Sequence, residues 1–85
     1  MDLEPVFDDL NRRHFDGFLD RPKLVWNSRL RSSSGRFFPG SRMRGVPATI
    51  EVAAYLLEEP ECQVHVKETL AHEMIHYWLW DEIYW

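Results

Sequence analysis

Three residues near the end of the chain have the types and the spacing for metal chemistry: His72, Glu73 and His76, within LAHEMIHYW at residues 70–78. On a helix, residues four apart stand one turn from each other on the same side. His72 and His76 can then bind one zinc ion together, at about 2.0–2.1 Å per Zn–N bond. Glu73 is rotated by roughly 100° from His72, given 3.6 residues per turn. It flanks the metal in place of capping it, which suits a base acting on a metal-bound water. With the histidine and glutamate content of this chain, a chance match to the H-E-x-x-H pattern has odds of about 2 in 100. The competing reading is a pair of core histidines beside a stray glutamate. That reading also needs a concealed partner for Glu73, because burying an unpaired carboxylate is costly.

A catalytic zinc site takes three protein ligands, and the third is hard to find. His65 lies on the His72 side, but about 10 Å down the axis at 1.5 Å per residue. Glu82 has the spacing after His76 that metzincins use for a third ligand. Their pattern has a glycine where this chain has Leu79, and without that break the helix points Glu82 away. Asp81 is no better placed. His14 belongs to another element and reads first as a helix-face residue. Cys62 stands alone, so a multi-cysteine zinc site is excluded and any metal must be held by histidine and carboxylate.

The element that carries the motif begins near Pro60, a residue favoured at the first helical position, and Glu58, Glu59 and Glu61 suit the positive end of a helix dipole. Nothing breaks it before about Trp80. Its apolar residues (Val64, Val66, Leu70, Met74, Ile75, Trp78 and Leu79 among them) fall nearly all round, the pattern of a buried helix. At the other end, Leu3, Phe7, Leu10 and His14 recur at helical spacing, and Phe15 and Phe18 extend the apolar side. Gly17 and Pro22 end that helix. Between the helices, KLVWNS (23–28) reads as a strand and SSSG as a turn. RFF (36–38) is a second short strand stopped by Pro39-Gly40, residues 40–47 read as a mobile loop, and ATIEVA (48–53) is a third strand. Ile50 and Val52 face one way on it, and Thr49, Glu51 and Ala53 the other. The fold class is α+β: an N-terminal helix, a small three-stranded antiparallel sheet, then the long motif-bearing helix. No internal repeat interrupts this order.

Eighty-five residues form one domain with a single core, spanning 1–85. No apolar run is long enough to cross a bilayer and no signal peptide opens the chain, so no membrane partner is expected. A single cysteine fits a reducing cytoplasm. The formal charge of −4 conceals a segregation: residues 1–20 carry −4, residues 21–50 carry +7 with no acid, and residues 51–85 carry −7. The basic block holds Arg21, Lys23, Arg29, Arg31, Arg36, Arg42 and Arg44. It reads either as solvated side chains that pair with the acidic helices or as a nucleic-acid footprint. With a negative net charge, DNA binding through it is expected to be weak.

Beyond its motif the chain resembles the N-terminal part of the SprT-like domain, the zincin-type fold of the SprT and Spartan metalloproteases. LNRRHFDGFL is similar to that family's first helix and the turn after it. LVWNSRLRSSSGRFF resembles its strand, turn and glycine-bearing second strand, and ATIEVAAYLLEEP its strand and the short helical lead-in to the active helix. TLAHEMIHYWL is the most specific stretch, since Met74 and Ile75 match within the motif. The resemblance implies His72 and His76 as zinc ligands, Glu73 as general base or acid, and hydrolysis of peptide bonds in a protein or peptide substrate. For the Spartan branch it implies removal of proteins crosslinked to DNA. Family members supply a third ligand from a later histidine, usually in a His-Gly segment, and no such residue follows here. The expectation is therefore a two-histidine half-site in a domain lacking its C-terminal part. Such a chain is either the core of a zinc metallopeptidase or a metal-binding scaffold without turnover. The ending YWLWDEIYW concentrates Tyr77, Trp78, Trp80, Tyr84 and Trp85, an apolar surface expected to favour a homodimer.

Overall fold

The computed structural model describes residues 1–84, with side chains through Ile83. Helix α1 runs Leu3–Phe15, strands β1, β2 and β3 run Lys23–Asn27, Gly35–Phe38 and Thr49–Ala53, and helix α2 runs Cys62–Tyr84. A 3₁₀ helix, Ala54–Glu58, leads from β3 towards α2, where the family resemblance places a short helical lead-in.

Helix α1 buries Leu3, Phe7, Leu10 and Asn11 along one side. It stops because Asp16 and Gly17 turn left-handed, with φ of 52° and 72°, and the Gly17 N–H donates to the Asn11 carbonyl at 3.0 Å. The buried Asn11 amide then clasps Leu19: its Nδ2 donates to the Leu19 carbonyl (2.8 Å) and its Oδ1 accepts from the Leu19 N–H (3.2 Å). This two-way tie returns the chain to the core at Leu19 and leaves Phe18 outside.

The sheet is mixed, where the sequence suggested three antiparallel strands. Its order is β1-β3-β2, with β1 parallel to β3 and β2 antiparallel to it. The physical reason lies in β3. Ile50, Val52 and Ala53 are fully buried, so the most apolar strand takes the centre and hydrogen-bonds on both sides. The edge positions go to strands bearing Lys23 and Arg36. Register then aligns the apolar rows: Leu24 and Phe37 flank Ile50, and Trp26 and Gly35 flank Val52.

Helix α2 lies on that apolar row and runs in the direction of β2. Val66, Leu70, Met74 and Tyr77 form its buried stripe, and Phe37 meets Tyr77 and Trp80 at ring-centroid distances of 5.6 and 6.4 Å. The helix starts two residues after Pro60 and continues beyond Trp80 to Tyr84. It is not buried on most faces, as its composition suggested. One small sheet and one short helix can cover only a single stripe, so Val64, Ile75, Trp78, Leu79 and Ile83 remain exposed. Within the aromatic ending, Tyr77 is buried and Trp80 packs on Phe37, whereas the Tyr84 side chain and Trp85 lie outside the described residues. Residues 40–47 form a closed turn: Ser41 and Val46 each donate an N–H to the other's carbonyl, at 2.9 and 2.8 Å. Gly40 adopts φ 73°, and a Cβ there would stand 2.5 Å from the Val46 oxygen, so only glycine fits.

On the outer face of the sheet one carboxylate joins all three strands. Glu51 of β3 accepts from Asn27 Nδ2 of β1 at 2.9 Å and from Arg36 Nε of β2 at 2.6 Å. The Arg36 hydrogen bond, helped by that from Asn27, holds the Glu51 carboxyl below the ordinary glutamate range despite its partial burial. A depressed folded value stabilises the fold above the unfolded value, near pH 4.3, and that contribution disappears as pH falls through the folded value. Glu51→Gln should therefore lower stability at neutral pH by at most about 1 kcal/mol, since Arg36 is half exposed. It should also flatten the acid limb of a stability-against-pH curve measured by urea unfolding. An unchanged acid limb would show that the bridge contributes nothing.

Candidate metal and catalytic site

Helix α2 places residues 72–76 opposite the start of β2. His72 and His76, one turn apart, both face solvent, so they are not the core histidines of the competing reading. Their Nε2 atoms converge to 3.1 Å, with the rings edge-on at an interplanar angle of 84°. Two imidazoles on one tetrahedral zinc, at the bond lengths above, have nitrogens about 3.3 Å apart. The observed separation thus fits two donors aimed at a single ion after a small outward relaxation.

Glu73 sits differently from the histidines. It is only 7% exposed, yet its side chain has no hydrogen-bond or ion-pair partner among the described residues. No buried side-chain oxygen among the described residues lacks a hydrogen-bond partner, so the unpaired Glu73 carboxylate reaches solvent, which spares it the cost of an unpaired buried charge. Glu73 and His76 line a small open cleft together with Gly35, Arg36 and Phe37 of β2. The acid thus borders the same space as a candidate metal ligand.

The wall of that cleft is a strand edge. Because β3 is central, the other side of β2 pairs with no described strand. The Ala53 N–H donates to the Ser34 carbonyl, which sets the antiparallel alternation. Ser34 and Arg36 point their backbone groups at β3, while Gly35 and Phe37 point theirs outward. The Gly35 carbonyl accepts from Ser33 Oγ at 2.7 Å, and the Phe37 backbone faces the cleft.

Gly35 sets the distance between strand and helix. A Cβ there would stand 2.7 Å from Thr69 Cγ2, 3.0 Å from the Glu51 carbonyl oxygen and 3.4 Å from Glu73 Cγ. Any side chain would wedge α2 away from β2 at the turn that carries Glu73. The sequence, read residue by residue, put Gly35 in a turn; only its family resemblance placed a glycine in the second strand. Phe37 and Thr69 gave no signal of their own.

No third ligand joins the histidines among the described residues. Among the described residues no group of three or more His, Cys, Asp or Glu side chains could hold a metal ion. Asp81 pairs with Arg42 Nη2 at 3.1 Å. Asp81, Glu82 and His14 line a separate groove between α1 and α2, and His65 is half-buried a turn and more below His72.

One of three comparisons with known proteins gives a match. The SprT-like family model matches residues 3–82, almost the whole chain, and the chain belongs to the SprT-like family. No curated protein and no solved structure gives a match.

The contact at Gly35 yields a direct test of how the site is positioned. Gly35→Ala should destabilise the protein by about 1–3 kcal/mol through overpacking. Thr69→Ser removes the methyl group that the new Cβ meets, so the double variant should recover part of that loss. Urea unfolding of the four proteins measures the coupling. Strict additivity would mean that Thr69 is not what excludes a side chain at position 35.

Proposed function

We propose that this chain is the metal-binding and catalytic core of a zinc-dependent metallopeptidase. His72 and His76 hold the ion and Glu73 serves as general base and then general acid. The observation that carries this reading is Glu73: largely buried as a residue, its carboxylate unpaired among the described residues and open to the cleft it lines with His76 and the free edge of β2. Zinc, when bound, supplies Lewis-acid polarisation of a carbonyl and lowers the pKa of a coordinated water.

The chain's own groups do the remainder. An extended peptide can pair with the outward backbone groups of Phe37, so β2 orients the substrate through its main chain and leaves side-chain choice open. That favours unfolded or locally extended protein segments as substrates. Glu73 accepts the proton of the attacking water and returns it to the departing amine, which balances the hydrolysis. The walls of Gly35 and Thr69 keep its carboxylate against the cleft. Two histidines alone hold zinc weakly, so turnover requires a third donor that the described residues do not provide. Without one, the chain behaves as a metal-binding scaffold.

Two measurements separate these behaviours. His72→Ala or His76→Ala should abolish stoichiometric zinc uptake in equilibrium dialysis, while Glu73→Gln should retain it, because Glu73 is not a ligand. On an unfolded protein substrate, Glu73→Gln should lower cleavage by about 10²–10⁴-fold, the usual contribution of a positioned acid–base group. Equal zinc content in the parent and the double histidine variant would end the assignment. Zinc uptake with no cleavage to lose would leave the scaffold reading.

Weak DNA contact is a second proposal, resting on Arg29, Arg31 and Arg44. These are exposed and have no acidic partner among the described residues, whereas Arg21, Arg36 and Arg42 pair with Asp8, Glu51 and Asp81. The fold also divides the basic block. Arg29 and Arg31 follow β1 at one end of the sheet, and Arg44 lies in the turn before β3 at the other. Even if these three and Lys23, likewise exposed and without an acidic partner among the described residues, all met phosphates, the slope of log K against log salt would be only about −3.6. Filter binding from low to physiological salt should show a slope no steeper than this, and a much steeper one would mean a larger footprint.

A further inference from the structure

The flank of α2 turned away from Glu73 carries a second concave surface. Glu73 and Ala71 are displaced by roughly 100° to opposite sides of His72, so this surface is separate from the hydrolytic cleft. It is a groove of about 740 Å³ between α2 and the end of α1. Ala71, Ile75 and Trp78 form one wall at i, i+4 and i+7, and the stripe continues to Glu82 over about 16 Å of axis. Phe15, Phe18 and Leu19 form the facing wall. Ile75 is 48% exposed, Trp78 39% and Phe18 81%, a large apolar surface for so small a domain.

The rim decides what fits. Asp16 stands at one side and Glu82 at the other, both exposed and neither paired among the described residues. Asp81 also lines the groove, already held by Arg42. An apolar floor about two helical turns long with a carboxylate rim matches an amphipathic helix whose apolar side is flanked by lysine or arginine. Charge disfavours the alternatives. A symmetric second copy would bring Asp16 and Glu82 against their own images, and an anionic lipid surface would be repelled.

We propose that this groove docks a basic amphipathic helix of a partner protein. Asp16 and Glu82 select its charge, and Ile75 and Trp78 take its apolar side. The groove, whose lining includes His14, uses none of His72, Glu73 and His76, so it stands or falls independently of the peptidase reading.

The probe is a labelled Leu/Lys amphipathic peptide of about 15 residues, long enough to fold on binding, with a Leu/Glu peptide of the same pattern as control. Both are titrated against the full chain carrying Glu73→Gln, which prevents cleavage, and read by fluorescence anisotropy. The Leu/Lys peptide should bind at least tenfold more tightly at low salt, with the gap narrowing as salt screens the rim. Ile75→Ala with Trp78→Ala, both at exposed positions, should weaken binding by tenfold or more while circular dichroism stays unchanged. Asp16→Asn with Glu82→Lys should erase or reverse the preference; asparagine tolerates the left-handed backbone at position 16. Three results would overturn the proposal. They are no binding of either peptide, equal binding of both, or a concentration-dependent doubling of mass that Ile75→Asp abolishes, which would make a second copy the occupant.

Discussion

The contact between Gly35 and the turn of α2 that holds Thr69 and Glu73 governs most of this small structure. With no Cβ at position 35, the helix settles against the start of β2, and the apolar row of the sheet meets Val66, Leu70, Met74 and Tyr77. The same approach sets Glu73 beside the cleft that Gly35, Arg36, Phe37 and His76 also line. One missing side chain thus sets both the packing of the core and the depth of the candidate base. Stability and chemistry are tied at this point: a residue that opened the gap would relax the core and expose Glu73 together.

The polar contacts of the fold follow a related economy. Two buried or half-buried polar side chains join elements distant in sequence. Asn11 ties the end of α1 to Leu19, and Glu51 spans all three strands through Asn27 and Arg36. Glu73 joins nothing. A hydrogen-bonded buried polar group repays its desolvation, whereas an unpartnered one does not. The contrast sets Glu51, which holds the strands together, apart from Glu73, whose unpaired carboxylate opens on the cleft of the proposed site.

Much of this was legible in the sequence, for identifiable reasons. The ends of α1 were readable because Gly17 and Pro22 are local signals. The alternation of Ile50 and Val52 against Thr49 and Glu51 was readable because a strand has a period of two. The motif at residues 72–76 was readable because both histidines and the glutamate lie within one helical turn and a half. Strand direction was not, since β1 and β3 are brought together by register across the sheet and not by a local turn. The exposure of Ile75 and Trp78 was also hidden. Composition records that a helix is apolar all round, but only the number of packing layers determines how many of its faces are covered. Gly35 was missed by residue-level reading for a third reason: its role is a clearance between two elements far apart in sequence, and a glycine beside SSS looks locally like part of a turn.

That last point bears on how the two concave surfaces of α2 came to coexist. A helix in a two-layer α/β packing buries roughly one stripe, so a helix apolar on most faces must leave surface over. In this chain one flank of the buried stripe carries Glu73, which the strand edge shelters, and the next face carries the exposed histidine pair. The other flank carries Ala71, Ile75 and Trp78, where α1 approaches but does not close. Ala71 packs against the core, but Ile75 and Trp78 stay exposed, and leaving them in water carries the cost that burial elsewhere avoids. Their helical spacing and the carboxylates at their margin give that uncovered face a definite shape and charge. The constraint that places Glu73 against β2 is therefore also what turns this second face outward, because the rotation of α2 that buries one flank exposes the other.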